Sequence, residues 1–379
     1  MIDYNTLSED FRRDRFSFFR ELRDTAPVQF DEQSSTFILS RYDDVQAAAR
    51  DWETYSSVGP EGTPQAPRLN DLDPPDHTVL RDKVSLALTA ERMLGMEDAL
   101  RDDARALLQE LVPGGTSDLM ADCFRPCLTR VVGRMLGLSD EQAAECLAIS
   151  DLFVRGIPGE PVATPTAQER LQALFIPLIM ARRQSPGDDL ISALASVGSD
   201  GGDALSDVEI LLFVLGVFLP SLGNNACAVA TAVELLGAHP AQRDALVADP
   251  SLIPQAFEEA IRFDSTTHDS PRTLTRDVTL HGVTMPAGAR VLMVWASANR
   301  DERTIDNPDQ FDVHRERSQG LSFGFGVHDC IGAMLVRVEA RVLLEELLAI
   351  APEYTVVDVG PRIRSTWIWG HESLTVSFA

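Results

Sequence analysis

From Ser206 to Gly237 the chain carries apolar residues at helical spacing on nearly every side of the projected helix. A helix with no polar face must be covered all round, so this segment is expected at the centre, with the rest of the chain wrapped about it. Its longest apolar run, Ile210 to Pro220, is well short of the ~20 residues that a membrane span requires. The start, Met1-Ile-Asp-Tyr-Asn, is polar and lacks the apolar core of a signal peptide. A soluble, cytoplasmic protein is therefore expected. His239-Pro240 closes the long helix.

Helical periodicity recurs on either side. It predicts helices over Ser8–Asp24, Arg41–Trp52, Asp76–Leu88, Glu91–Leu111, Asp118–Leu136, Asp140–Val154, Ala167–Arg183, Asp188–Val197 and Leu252–Phe263. The Gly- and Pro-rich stretch Ser57–Pro75 reads as a long loop, a kind usually kept for function. Gly156–Pro165 reads as a connector. Strand signals cluster late, at Val278–Leu280, Gly282–Met285, Arg290–Val294, Val356–Val357 and Ser373–Phe378, with Pro286-Ala287-Gly288 as a turn. There is no repeat and no Gly/Ser linker. The expectation is one mainly α domain over residues 1–379, with a small β-rich portion.

Charge narrows the partners. Thirty-three basic residues against 58 acidic ones give −25, which disfavours nucleic acid and anionic membrane surfaces. All but one of the basic residues, Lys83, are arginine, a bias that points to a GC-rich, bacterial coding genome. Five cysteines in so long a chain do not make a disulfide framework, and Cys123, Cys127, Cys146 and Cys227 are expected as buried apolar side chains.

Cys330 stands apart. In Ser322–Val342 a glycine-rich loop, with Gly324 and Gly326, runs into a helix whose apolar face carries Ile331, Met334, Leu335, Val338 and Val342. A cysteine at a helix N-terminus has its thiolate stabilised by free N–H groups and the helix dipole. The glycines let the backbone fold tightly round the sulfur and leave room for a flat ligand. A dinucleotide loop would need glycine at position 329, where Asp329 stands. A cysteine hydrolase using His328 would need two near-adjacent loop residues to aim at each other. On local physics alone, a ligand-bearing thiolate or nucleophile and a purely structural turn remain level.

The spacing Phe323-x-x-Gly326-x-x-x-Cys330-x-Gly332 resembles the haem-binding signature of the cytochrome P450 family, and the likeness extends over nearly the whole chain. It implies the cytochrome P450 fold and a haem b (iron protoporphyrin IX) cofactor. Cys330 would be the metal ligand, and Phe323, Gly324 and Gly332 part of the cofactor loop. Asp73-Pro-Pro-Asp-His77-x-x-x-Arg81 resembles the helix whose His and Arg bind the haem propionates, and Arg272 and His328 match two further propionate-binding positions. Glu259-x-x-Arg262 resembles the family's buried acid–base pair, and Pro308-x-x-Phe311 its next element. Gln310 stands where the family has a base, which makes Arg315 the candidate third member.

The resemblance implies a bacterial monooxygenase fed by a ferredoxin and its reductase, oxidising a small organic substrate of secondary metabolism, as a monomer. The pocket walls implied are Ser57–Asp71, Gly156–Pro165, the middle of the long helix, Asp264–Ser270 and Ser365–Gly370, with Trp367 and Trp369 as candidate lining and His268 nearby. A basic docking patch for an acidic ferredoxin is expected at Arg101, Arg134, Arg337 and Arg341. The long helix departs from the family. Its usual acid–alcohol pair falls on Gly223 and Asn224, followed by Asn225, although Pro220 and Gly223 are still expected to kink it. That departure keeps two alternatives open: altered haem-thiolate chemistry (peroxide-driven oxidation, oxidative coupling or isomerisation), and a binding or gas-sensing module.

Overall fold

A computed structural model describes residues 4–59, 68–154, 164–199, 202–315 and 320–378. The central segment is one helix, Asp207–Ala238, running past Gly223 without a break. It begins with a capping box in which Ser206 and Glu209 satisfy each other's backbone N–H groups. It packs against Asp140–Val154, Ile253–Phe263, Thr164–Gln184, Arg125–Leu136 and Ala333–Ile350. By length and composition this helix does reach what a bilayer span requires, contrary to the count of uninterrupted apolar residues; 53% of its most apolar window is nevertheless buried against its neighbours, as in a core helix. Glu97–Leu111 packs extensively against Ala333–Ile350, the helix that follows Cys330.

Several predicted helices divide. Ser8–Asp24 is two helices, Glu9–Arg13 and Arg15–Thr25, because Ser8 caps the first and Asp14 caps the second. Glu91–Leu111 divides at Gly95 into Ala90–Leu94 and Glu97–Leu111. Asp118–Leu136 opens with the end of a strand and a π-helical turn, Met120–Phe124, before the α-helix Arg125–Leu136. Pro240–Ala248 is a further helix, begun rather than prevented by its N-terminal proline.

The strands are not only late. Val28–Asp31 and Thr36–Leu39 form a hairpin that joins a five-stranded sheet, paired parallel to Arg290–Met293. Ser270–Leu274 and Tyr55–Ser56 complete that sheet. A three-stranded sheet joins Thr116–Asp118, Leu374–Phe378 and Tyr354–Val359, and a separate two-stranded hairpin pairs Val278–Leu280 with Val283–Met285. Cys123, Cys127, Cys146 and Cys227 are buried, whereas Cys330 is open.

A buried ion-pair network fixes helix Ile253–Phe263 to the chain ahead of the cysteine loop. Glu259 and Arg262, each 1% exposed, meet in a two-pronged pair at 2.7 and 2.8 Å. Arg262 also donates to the carbonyls of Asn299 and Pro308, at 2.8 and 3.0 Å. Gln310 contributes only its backbone carbonyl, and Arg315 fills the third place, its Nε 3.1 Å from both Glu259 oxygens. Removing one partner of such a network leaves uncompensated buried charge. Glu259→Gln is therefore expected to lose about 3–5 kcal/mol of stability, read from the midpoint of urea denaturation.

Candidate functional site

Residues 321–333 form a tight turn whose backbone closes on itself. Gly324 N–H donates to Leu321 O at 2.9 Å, and Cys330 N–H to Phe323 O at 2.8 Å. Gly324 and Gly326 both lie at positive φ, +75° and +77°, where an L side chain is strained. At Gly326 a Cβ would stand 2.4 Å from the Ala49 carbonyl oxygen; at Gly324 the nearest atom would be 3.4 Å away. The helix begins at Ala333, so Cys330 sits just outside its N-terminus. Although its surface is open to the cavity, the atoms packed round it shield Cys330 from bulk water and raise its thiol above the ordinary range, opposed by the Gly332 N–H and by the charges of Arg81 and Arg337.

Cys330 opens into a cavity of about 430 Å³. Phe323, Gly324, Ile331, Gly332, Leu335 and Val336, from the cysteine turn and the helix beyond it, line this cavity. One edge gathers four basic side chains. His77 and Arg81 stand four residues apart on helix Asp76–Ala87 and share a face. Arg272 lies within strand Ser270–Leu274 rather than before it, and His328 ends a short 3₁₀ turn. The two imidazoles lie 4.3 Å apart, and Ser57 Oγ is 2.8 Å from His328 Nε2. Arg81 donates to the carbonyls of Val327 and Asp329, at 3.1 and 2.8 Å, and to the Asp329 carboxylate at 2.7 Å.

Of these four side chains, His77 and Arg272 lack an anionic partner. His77 is 1% exposed, and neither of its ring nitrogens has a partner. Arg272 donates to the Pro271 carbonyl, and among the described residues no carboxylate lies within ion-pair distance of it. Burial and neighbouring positive charge push His328 down to about 3, and burial brings Arg272 down to about 10. His328 is therefore uncharged at neutral pH, while Arg272 keeps its charge.

Further lining comes from the central helix and from late loops. Asn224 and Asn225 line the cavity, with Val217, Ser221 and Ala228; Gly223 does not. Asn224 Nδ2 donates to Thr267 Oγ1 at 3.3 Å, and Asn225 Nδ2 to Glu339 Oε2 at 2.8 Å. Trp367 lines the cavity, as do Ser57, Leu69, Asn70 and Asp71 of the long loop. The rest of that loop, residues 60–67, and most of Gly156–Pro165 lie outside the described residues.

Three expectations fail here. Trp369 packs in the N-terminal aromatic cluster, with Phe11, His268 and the Arg15 guanidinium, which stands 4.2 Å from its ring. His268 belongs to the same cluster; it is fully buried against Arg15, does not line the cavity, and burial holds its pKa well below the usual histidine range. The four arginines of the expected basic patch are ion-paired: Arg101 with Glu97, Glu345 and Glu346, Arg341 with Glu97 and Glu345, Arg337 with Glu258, and Arg134 with Asp103. Sequence spacing missed Glu339, which reaches the site only through Asn225, a partner distant in the chain, whereas Thr267 falls within the expected wall Asp264–Ser270 and lines the cavity.

The two loop glycines separate backbone strain from steric clash. Gly324→Ala is expected to cost about 1–3 kcal/mol from its φ alone. Gly326→Ala, which adds a clash with backbone, is expected to cost more. Urea denaturation of the two variants checks the order.

The family model for Cytochrome P450 matches residues 232–349. The Vitamin D(3) 25-hydroxylase of Pseudonocardia autotrophica is 35% identical over 84% of this chain and 81% of its own. The Steroid C26-monooxygenase of Mycolicibacterium smegmatis is 31% identical, over 95% of this chain and 92% of its own. Among solved structures, cytochrome P450 CYP109Q5 from Chondromyces apiculatus superposes with a TM-score of 0.91 at 29% identity, covering 100% of this chain and 98% of that one. The motif round Cys330, the helical fold about a central helix and these full-length relatives agree, and the chain belongs to the cytochrome P450 family of haem-dependent oxidoreductases.

Proposed function

We propose that the protein is a haem-thiolate monooxygenase that hydroxylates a small organic substrate of bacterial secondary metabolism, acting in the cytoplasm with electrons from a ferredoxin. The observation that carries this reading is the cavity itself: a single thiol, and at one edge two arginines and two histidines, of which His77 has no partner on either ring nitrogen and Arg272 no carboxylate within ion-pair distance. An iron porphyrin fits that pattern. Its metal needs one protein ligand here, and among the described residues no cluster of three or more His, Cys, Asp or Glu could hold an ion unaided. Its two propionates would satisfy His77, Arg81, Arg272 and His328 by charge-assisted hydrogen bonds. Cys330 would be the iron ligand, with Phe323, Gly324 and Gly332 shaping the turn that presents it.

When bound, the haem supplies the activation of dioxygen for insertion of one oxygen atom into a C–H bond. This chain supplies the rest. The Gly332 N–H and the Arg81 and Arg337 charges favour the thiolate of Cys330. Trp367, Leu69 and Val217 offer apolar surface to a substrate, and Asn70, Thr267 and Asn224 offer hydrogen bonds that orient it. Asn224 and Asn225 would position water in place of the missing acid–alcohol pair. Relatives named as a hydroxylase and a monooxygenase support hydroxylation over the altered chemistries. Their names, together with a testosterone complex of the Bacillus megaterium relative CYP109E1, make vitamin D and steroid skeletons the first compounds to screen by the haem spectral shift.

Cys330→Ala is expected to abolish the strongly red-shifted absorption of the reduced carbon monoxide complex; survival of that band would overturn the reading. Arg272→Gln, losing a charged hydrogen bond of about 1.5–3 kcal/mol, is expected to speed haem loss to apomyoglobin about tenfold or more. Because the docking arginines are already paired with carboxylates, ferredoxin-coupled reduction is expected to change less than about twofold across an ionic-strength series that would screen a bare basic patch.

A further inference from the structure

The loop Ser57–Pro75 is closed at its neck by one carboxylate. Asp73 accepts the Ser57 N–H at 2.9 Å and the hydroxyl of Ser56 beside it. Leu72, next to Asp73, therefore stands across the neck from Ser57. From this neck hang Leu69, Asn70 and Asp71, which line the cavity together with Ser57.

His328, two residues ahead of Cys330, reaches both sides of that neck. Ser57 Oγ lies 2.8 Å from its Nε2. The backbone of Leu72 bonds to the same ring and favours its protonated form, so the bonding group is the carbonyl, which accepts. Ser57 takes Nε2, which leaves Nδ1–H to donate to Leu72. A neutral imidazole has one N–H and one lone pair, so the lone pair of Nε2 receives the Ser57 O–H. Both nitrogens are then engaged, one at each end of the loop. His77 gives the contrast: its ring lies 4.3 Å from that of His328, and neither of its nitrogens has a partner. The peptide units on either side of His328 are fixed as well, because Arg81 holds the carbonyls of Val327 and Asp329.

We propose that His328 is a positioning residue that fastens the neck of this loop to the cysteine turn, one ring nitrogen to each end. This rests on the monooxygenase reading, in which a substrate carbon has to lie at a set distance from the iron that Cys330 would hold. The wall at Leu69, Asn70 and Asp71 and the turn that presents Cys330 are joined through a single imidazole. Its two bonds are directional, so they fix the register of the loop on the turn as well as its proximity. A propionate could reach Nε2 only by displacing Ser57. The haem carboxylates therefore fall to His77, Arg81 and Arg272, which narrows the set of four to three.

The test follows backbone hydrogen exchange over residues 68–75 in the haem-loaded protein. Ser57→Ala is expected to speed exchange there about tenfold, as for the loss of one hydrogen bond. Ser57→Thr keeps the hydroxyl and is expected to restore protection. His328→Asn keeps an N–H for Leu72 and loses the acceptor for Ser57. Its effect is expected to match that of Ser57→Ala, and the double variant is expected to exchange no faster than either single one. Unchanged exchange in Ser57→Ala, or effects that add in the double variant, overturns the proposal. So does a His328→Asn protein whose loop exchange is unchanged while it loses haem to apomyoglobin as fast as Arg272→Gln, since the ring then serves the propionates. An unmodified protein without the carbon monoxide band overturns the monooxygenase reading instead.

Discussion

The buried pair Glu259–Arg262 is the joint on which the site hangs. Arg262 grips the carbonyls of Asn299 and Pro308, and Arg315 closes on Glu259 from the far side. Asn299, held by its backbone to that network, extends its side chain to Ser265, Ser322 and the N–H of Leu321. Ser322 in turn donates to the Ile261 carbonyl at 2.7 Å. A chain of charge-assisted and neutral hydrogen bonds thus runs from one helix to the first residues of the cysteine turn. Apolar packing alone would hold that turn near its place; directional bonds hold it in one orientation.

Much of this was legible because its signals are local. Cys330, its glycines and the helix beyond occupy consecutive residues, and His77 and Arg81 reveal their shared face by spacing alone. The central helix was legible because it has no polar side to spare. What escaped depends on contacts between distant parts of the chain. Thr36–Leu39 is a strand because Arg290–Met293 lies beside it, more than 250 residues away. Glu339 takes its place from Asn225, which precedes it by 114 residues and which no local spacing reveals. The arginines of the supposed basic patch could be counted, but their carboxylate partners sit on other helices. His268 and Trp369 follow the same rule, since only the fold turns them toward Arg15 and away from the cavity.

The site also shows how unlike environments divide labour among polar groups. At the cavity edge the buried imidazole of His77 has no partner and Arg272 no carboxylate, a cost for the protein alone that an anionic ligand would offset through binding. On the central helix the polar groups are neutral amides, which orient partners without titrating. Glu339 stands behind them in an apolar surround that keeps its proton on at neutral pH.

Arg81 has a mechanical role besides its charge. Rooted in helix Asp76–Ala87, it is bonded to the two peptide carbonyls that flank His328, directly ahead of Cys330. The same helix follows the loop whose Leu69, Asn70 and Asp71 form part of the cavity wall. One strut therefore joins the wall that a guest molecule touches to the peptide units that aim the sulfur. By linkage, any free energy that a guest spends in displacing that helix is felt, with equal magnitude, at the turn around Cys330. Filling the cavity and setting the thiolate are in that sense one equilibrium viewed from opposite ends of a single guanidinium.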